Sequence, residues 1–88
     1  MPTTKLCIKG EVTGVCFRSF IREHAVRLNL KGWVKNAGDN QVQAIFEGPE
    51  QSINKMFQLC KKGPPLAKVQ SIEEESLPVK HFKEFKVI

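Results

Sequence analysis

Residues 10–18, Gly-Glu-Val-Thr-Gly-Val-Cys-Phe-Arg, have the composition of an anion-binding turn. They lie between a segment that alternates like a strand and a segment with helical periodicity. A glycine-containing turn at such a place can direct consecutive backbone N–H groups toward an anion, and the helix N-terminus that follows adds partial positive charge. Arg18 can add a planar guanidinium that binds two oxygens of a phosphate. We therefore predict a phosphate-binding loop formed by Thr13, Gly14, Val15, Cys16, Phe17 and Arg18.

The same segment is compatible with an ordinary strand-to-helix connection, in which Gly14 makes the turn and Arg18 is a surface cation. It lacks the Gly-Lys-Ser/Thr sequence of a nucleotide P-loop, so a magnesium-nucleotide site is not expected. A cysteine phosphatase is also not expected, because those enzymes place the arginine several residues after the thiolate and only Phe17 separates Cys16 from Arg18. We expect Cys16 to be a buried or half-buried loop side chain.

Metal ligands are not evident in the sequence. His24 and His81 are far apart along the chain, and no Cys–His spacing resembles a metal site. We predict neither a metal nor a cofactor. Trp33, next to Val34, is expected to pack in the core or on a face of the sheet rather than to stack on a ligand.

Hydrophobic periodicity predicts the elements that must position the loop. Alternating apolar residues predict strands, and apolar residues at spacings of three and four predict amphipathic helices. A hairpin turn is expected at residues 37–40, and Gly63 with two following prolines should end the second helix. The predicted strands are residues 5–12, 32–36, 41–48, 69–74 and 82–87, and the predicted helices are residues 19–29 and 49–62.

This order is β-α-β-β-α-β with a short extra strand near the end. Right-handed β-α-β crossovers place both helices on the same face of one sheet. We therefore predict an α+β fold, a ferredoxin-like α/β sandwich with two helices on one face of a mainly antiparallel sheet. The other face should be partly solvated. Glu73, Glu74 and Glu75 are expected on the surface of an edge strand.

Two motifs together resemble the acylphosphatase family. One is Gly10-x-Val12-x-Gly14-Val15-x-Phe17-Arg18, and the other is Gly32-Trp33-Val34-x-Asn36. The resemblance continues through the strand around Val42, the Gly48-Pro49-Glu50 segment and the Gly63-Pro64 helix end, so it covers essentially the whole chain. It implies a metal-independent hydrolase that converts an acyl phosphate into a carboxylate and inorganic phosphate. By the same resemblance, Arg18 and Asn36 are the catalytic residues: Arg18 holds the phosphoryl group and Asn36 positions the attacking water.

The chemistry suits these residue types. An acyl phosphate has a good leaving group, so the reaction needs charge neutralisation and an aligned water rather than a strong base. The amide of Asn36 can accept a hydrogen bond from water and does not ionise, although a residue at a hairpin end can also bond only to its own turn. Two positions depart from the usual pattern of the family. Thr13 replaces a common glutamine, and Asn40 replaces glycine in the Asp-Gly turn; neither change alters Arg18 or Asn36.

Length and composition restrict the remaining choices. The 88 residues suffice for a single domain, residues 1–88. The net charge of +5 favours anionic partners without choosing among nucleic acids, acidic membranes and phosphorylated metabolites. Three cysteines with no close pair predict a reduced, cytoplasmic protein. No apolar run is long enough for a signal peptide or a bilayer, so we expect no membrane partner.

Two alternative functions remain open. The predicted fold also supports RNA binding, but the first and third strands lack the Lys/Arg-Gly-Phe aromatic signature, so no nucleic acid partner is expected. A phosphate-sensing domain without turnover would keep the loop, and the presence of Asn36 argues against it. The expected partners are a small-molecule acyl phosphate as substrate and inorganic phosphate as product. The predicted sandwich shows no evident exposed apolar face, so we expect a monomer. The sequence does not specify the acyl group.

Overall fold

The computed structural model describes residues 2–14 and 16–88. The strands are β1 (Thr3–Glu11), β2 (Lys31–Asn36), β3 (Gln41–Glu47), β4 (Lys68–Leu77) and β5 (Phe85–Val87), and the helices are α1 (Phe17–Arg27) and α2 (Glu50–Lys62). Their order along the chain is the predicted one. Within the described ranges, neither helix has the length and apolar character needed to span a membrane.

The five strands form one sheet in the order β4-β1-β3-β2-β5. The pairs β1–β3, β1–β4 and β2–β3 are antiparallel, whereas β2 and β5 are parallel. Two helices on this mixed but mainly antiparallel sheet confirm the predicted ferredoxin-like α+β fold. The topology brings the end of β2 and the end of β5 together, since parallel neighbours end at the same edge of a sheet.

The core lies between the two helices and one face of the sheet. Leu6 and Ile8 of β1 and Val42, Ala44 and Phe46 of β3 are buried there. The helices contribute apolar residues at the predicted spacings, namely Phe17, Ile21 and Ala25 from α1 and Ile53, Met56 and Cys60 from α2. On the other sheet face, alternating residues such as Lys5, Cys7 and Gln43 are partly exposed, as predicted for a half-solvated sheet.

Several element boundaries differ from the prediction. Helix α1 begins at Phe17 instead of residue 19, and α2 begins after Pro49, which is its N-cap and not its first helical residue. Strand β4 extends to Leu77, beyond the predicted residue 74, because it pairs along the whole of β1, from Glu11↔Lys68 to Thr3↔Leu77. Its position at the sheet edge agrees with the expectation for the exposed residues Glu73, Glu74 and Glu75.

Gly10 lets three segments approach closely just before the predicted loop. The register of β1 against β4 shifts between Lys9 and Gly10, which marks a bulge. Gly10 has a φ of 140°, and a Cβ built on it would lie 2.2 Å from the carbonyl oxygen of Lys68. Its amide donates to the carbonyl of Asn40 at 3.0 Å. The bulge therefore fixes where the chain leaves the sheet to enter the loop.

The hairpin turn between β2 and β3 has the predicted chemistry. Gly38 and Asn40 both have positive φ, 92° and 59° respectively. The amide of Ala37 donates to the carbonyl of Gln41 at 3.0 Å. Asparagine tolerates the left-handed region better than most residues with a side chain, so Asn40 can form this turn without a glycine at its position.

Candidate active site

The loop after β1 ends at Cys16, whose backbone is left-handed (φ 61°, ψ 26°). Gly14 also has positive φ, at 72°, and open space surrounds the position of its absent Cβ. The carbonyl of Cys16 accepts the amide of Phe20 at 3.0 Å, which is the first hydrogen bond of α1. Cys16 is therefore the N-cap of α1, and the loop connects directly to the helix.

The N-terminus of α1 has amide groups without helical partners. The N–H groups of Phe17, Arg18 and Ser19 precede the first residue that can donate within the helix. Among the described residues no side chain caps this end, and the first turn contains no acidic residue. The amides and the helix dipole therefore present uncompensated positive charge to an anion.

Arg18 lies in the first turn of α1 and is half-buried. Its Nη1 donates to a backbone oxygen of Ile88 at 3.4 Å, a long contact that leaves most of the guanidinium donors available. In the described part of the chain, no salt bridge engages Arg18. The guanidinium can therefore bind a phosphate without first breaking an ion pair to an Asp or Glu side chain.

Asn36 is the last residue of β2, where it is paired with Val42 of β3, and it is exposed. The neighbouring strand β5 ends beside it: Val34 pairs with Val87, and the amide of Ile88 donates to the carbonyl of Val34 at 2.8 Å. Asn36 therefore stands where the ends of β2 and β5 face the start of α1.

These segments enclose a cleft of about 330 Å³. It brings together five residues predicted for the site from separate parts of the chain, namely Gly14, Cys16, Phe17, Arg18 and Asn36. The side chain of Phe17 is buried in the core, so its contribution to the cleft polarity comes from the backbone. The cleft can hold a tetrahedral anion against amides and a guanidinium, and Asn36, with its neutral carboxamide, also lines it.

Three predicted features differ in the structure or fall outside it. Thr13 is partly exposed and does not line the cleft. Val15 lies outside the described residues. The expectation that Cys16 is buried or half-buried is wrong, because its side chain is exposed at the mouth of the cleft. The physical reason is that α1 begins immediately after it, so Phe17 takes the buried position at the start of the helix.

Three further residues line the cleft that the sequence did not predict, namely Val12, Ser19 and Val87. Ser19 could have been found by starting the helix at Phe17, because the amide of the third helical residue lacks a helical partner. Val87 gives no comparable signal, since only the parallel pairing of β5 with β2 brings it to the cleft.

Other chemically interesting residues lie apart from the cleft lining. Burial raises the pKa of the Cys60 thiol to about 12, which keeps it protonated and unreactive. The ring of His24 packs against Phe20 at a centroid distance of 4.6 Å. Trp33 is half-buried on the open sheet face, with Nζ of Lys35 5.2 Å from its ring centroid.

Across residues 2–14 and 16–88, no group of three or more potential metal-ligating side chains is assembled.

Comparison with known proteins adds to this geometry. A family model described as acylphosphatase matches residues 4–87. An acylphosphatase from Caldivirga maquilingensis is 47% identical over 72 residues, covering 81% of this chain and 76% of that protein. The crystal structure of acylphosphatase from Bacillus subtilis gives a TM-score of 0.96 at 31% identity, covering 100% of this chain and 99% of that one. An acylphosphatase structure from Coxiella burnetii gives a TM-score of 0.95 at 32% identity, covering 99% of this chain and 92% of that one. The resemblance drawn from the two motifs is thus confirmed, and the chain belongs to the acylphosphatase family.

Proposed function

We propose that the protein hydrolyses acyl phosphates to a carboxylate and inorganic phosphate in the cleft between α1, β2 and β5. The observation that carries this proposal is that the cleft joins the uncapped start of α1, Arg18 and Asn36, in a chain of the acylphosphatase family. The substrate class is a small-molecule acyl phosphate, and the cleft would bind the phosphoryl group that all such substrates share.

The phosphoryl oxygens would be bound by the amides at the start of α1 and by Arg18. The amides are fixed in direction by the helix, so they need little reorganisation as charge on the phosphoryl oxygens redistributes in the transition state. One such donor can be worth about 3 kcal/mol of transition-state stabilisation. The guanidinium adds permanent charge and two parallel donors. Because these donors neutralise the phosphoryl charge, we propose that the reaction requires neither a metal nor a cofactor.

Asn36 would hold the attacking water. Its carboxamide oxygen can accept a hydrogen bond from the water while the NH₂ group donates elsewhere. Holding water in line with the bond that breaks replaces an entropically costly encounter, and the carboxylate leaving group needs no strong general acid. Asn36 lies on a different segment from the anion-binding amides, so binding and water alignment are separable by mutation.

The departures from the family pattern should affect affinity more than turnover. Thr13 belongs to the predicted loop but does not line the cleft, so its change should leave the amide contacts in place. Asn40 has the backbone conformation that its turn requires.

We further propose that the chain forms one domain, acts as a monomer and functions in the cytoplasm without a nucleic acid or membrane partner. The three free cysteines, Cys7, Cys16 and Cys60, support a reducing location.

The deciding experiment is hydrolysis of a simple acyl phosphate by the wild-type chain, with and without a chelator. We expect turnover that the chelator does not reduce. Activity abolished by the chelator and restored by added metal would overturn the metal-independent mechanism. Phosphate binding without turnover would instead identify a phosphate-sensing domain. If the chain neither hydrolysed the acyl phosphate nor bound phosphate, the cleft would not be its functional site.

A further inference from the structure

Glu47, the last residue of β3, is a buried carboxylate for which the hydrolysis has no direct use. It is 3% exposed although it is paired within the partly solvated sheet. Its carboxylate accepts the hydroxyl of Thr3 at 2.5 Å, the amide of Lys80 at 2.7 Å and the amide of Phe82 at 2.8 Å. We call Glu47 and these three donors the Glu47 clasp. A carboxylate with three short hydrogen bonds is tightly held, and it holds its donors in return.

The clasp secures a segment that has little else to fix it. Residues 78–84 form neither a helix nor a strand, and most of them are exposed. His81, between the two donating residues, has a left-handed backbone (φ 58°). Alternating amides around such a residue can converge on one anion, and here Glu47 supplies it. The carboxylate therefore determines the path of the chain as it approaches β5.

Strand β5 itself is weakly attached. It has three residues and lies at the edge of the sheet, where β2 is its one partner among the described strands. Phe85 is buried against Phe46 at a centroid distance of 5.5 Å, but Lys86 and Val87 are exposed. So short an edge strand contributes few hydrogen bonds of its own. Its position therefore depends on how the chain is held on the N-terminal side.

The far end of β5 reaches the cleft. Val87 lines the cleft, and Ile88 is tied to β2 through its amide. A backbone oxygen of Ile88 then accepts Nη1 of Arg18 at 3.4 Å. A continuous series of contacts thus runs from Glu47 through residues 80–82 and β5 to the arginine.

We propose that Glu47 is a positioning residue for the hydrolysis, acting through the 80–82 turn and β5 on Val87 and Arg18. This inference rests on the proposed function of the cleft. Glu47 does not touch the substrate. Its role is to keep the C-terminal strand where one wall of the cleft and the guanidinium are correctly placed.

A carboxylate is needed at this position because both oxygens are used. Phe82 donates to Oε1, whereas Lys80 and Thr3 donate to Oε2. A glutamine has nearly the same shape but offers one oxygen and one NH₂ group. One backbone amide would then face another donor, so Glu47→Gln should release one end of the turn without removing bulk.

The test compares Glu47→Gln with Cys60→Ala, a control that loses stability in the core beneath α2. Both are assayed where circular dichroism shows them to be folded. For Glu47→Gln we expect kcat to fall between about tenfold and a hundredfold, because a displacement of about 1 Å far from the chemistry can cost about 10²-fold. KM should change less than kcat. Cys60→Ala should also lower the thermal midpoint, but it should keep the wild-type kcat and KM. Equal kinetics in the two variants would overturn the proposal.

Amide exchange identifies the route of the effect. In Glu47→Gln, the amides of Gly32 and Ile88, which donate to Glu84 and Val34, should exchange faster. The β1–β3 amides away from the Thr3–Glu47 pair should not change. Combining Glu47→Gln with Arg18→Ala should cause a smaller loss than the sum of the two separate losses, because part of the effect of Glu47 passes through the guanidinium. Full additivity would show that Glu47 acts by some other route.

A milder pair of variants covers the case in which Glu47→Gln does not fold. Thr3→Val removes one donor of the clasp and keeps the branched shape, whereas Thr3→Ser keeps the hydroxyl. Thr3→Val should lower kcat and Thr3→Ser should restore it; equal values for both would count against the proposal. If the wild-type chain does not hydrolyse acyl phosphates, the proposed function fails. The affinity of these variants for inorganic phosphate, bound through Arg18, then decides the role of the clasp separately.

Discussion

The carbonyl oxygen of Cys16 accepts the amide of Phe20 at 3.0 Å from a backbone in the left-handed region. Helix α1 therefore begins without a side-chain cap, and the amides of its first turn remain directed at the cleft. A serine or aspartate cap would satisfy one of those amides internally. The uncapped start is less favourable for the helix, and it leaves the donors that an anion requires.

Cys16→Ala should leave kcat/KM unchanged, because a water molecule, not the thiol, is the proposed nucleophile. The side chain is exposed, so the free energy of unfolding should change by no more than about 0.5 kcal/mol. Cys16→Gly should also fold well, since glycine adopts positive φ without steric cost. Steady-state kinetics and denaturant unfolding check both. A trapped phosphocysteine in the wild type would assign this chain to a different chemistry.

Inorganic phosphate should bind to the amides at the start of α1 and inhibit competitively, because it is the product that these donors hold. Titration followed by NMR should shift the amides of Gly14, Phe17, Arg18 and Ser19. Binding should weaken with added salt, because the Debye length is about 10 Å at 0.1 M and the cleft is open to solvent. Unchanged shifts in all four amides at saturating phosphate would remove this segment from the binding site.

Local sequence pattern predicts those parts of this fold that depend on residues close together in the chain. The alternation in β1 and β3 and the spacings in α1 and α2 identified the sheet, the helices and their buried faces, since these depend on neighbouring residues. The hydrophobic pattern did not predict the Glu47 clasp, because its members are distant in sequence. The predicted strand at residues 82–87 begins only at Phe85, because the amide of Phe82 bonds to Glu47 instead of to a strand. Glu47, which is distant in sequence, therefore determines where β5 begins.

The site was predictable to a similar degree. Arg18 and Asn36 stood out because two motifs carried them, and the structure places both on one cleft. The contribution of Val87 depends on the parallel β2–β5 pairing, which no local pattern encodes. The exposure of Cys16 was mispredicted because the helix was expected to start later than it does.

Arg18→Lys should lower kcat/KM by roughly 10²-fold, the scale seen when one transition-state donor is removed. An ammonium supplies charge but not the planar pair of donors. The thermal midpoint should change little, because in the described ranges the guanidinium pairs with no Asp or Glu side chain and makes only a long contact with the backbone of Ile88. Kinetics and thermal unfolding are measured on the same preparation. Near-normal kcat/KM would show that bidentate recognition is not needed.

The clasp predicts how stability depends on acidity. Burial by itself raises the pKa of Glu47, but the hydrogen bond from Thr3 and those from the amides of Lys80 and Phe82 outweigh it. The nearby charge of His81 acts in the same direction, and the net result is a pKa below the ordinary 4.5. Lys31, the register partner of Glu47 on β2, adds a further positive charge nearby.

A lowered pKa means that the folded state binds the proton less readily than the unfolded chain. The stabilisation is therefore fully present above pH 4.5 and is lost as the pH falls through the folded-state pKa. Denaturant unfolding between neutral and acidic pH should show wild type more stable than Glu47→Gln at neutral pH, with the difference shrinking below pH 4.5. A difference independent of pH would show that the ionised carboxylate is not what stabilises the turn.

Asn36→Ala tests the assignment of the attacking water. If Asn36 orients that water, kcat should fall by roughly 10²-fold to 10³-fold while KM and phosphate inhibition stay close to wild type, because the anion-binding amides lie on another segment. Asn36→Asp is the matched variant, since it keeps the size but places a carboxylate beside an anionic phosphoryl group. It should raise KM as well as lower kcat, because like charges repel in the cleft. Asn36 is exposed at the end of β2, so neither variant should lose much stability. An alanine variant that keeps kcat but unfolds more easily would show that Asn36 serves the hairpin alone, and the water would then have to be held by another group lining the cleft.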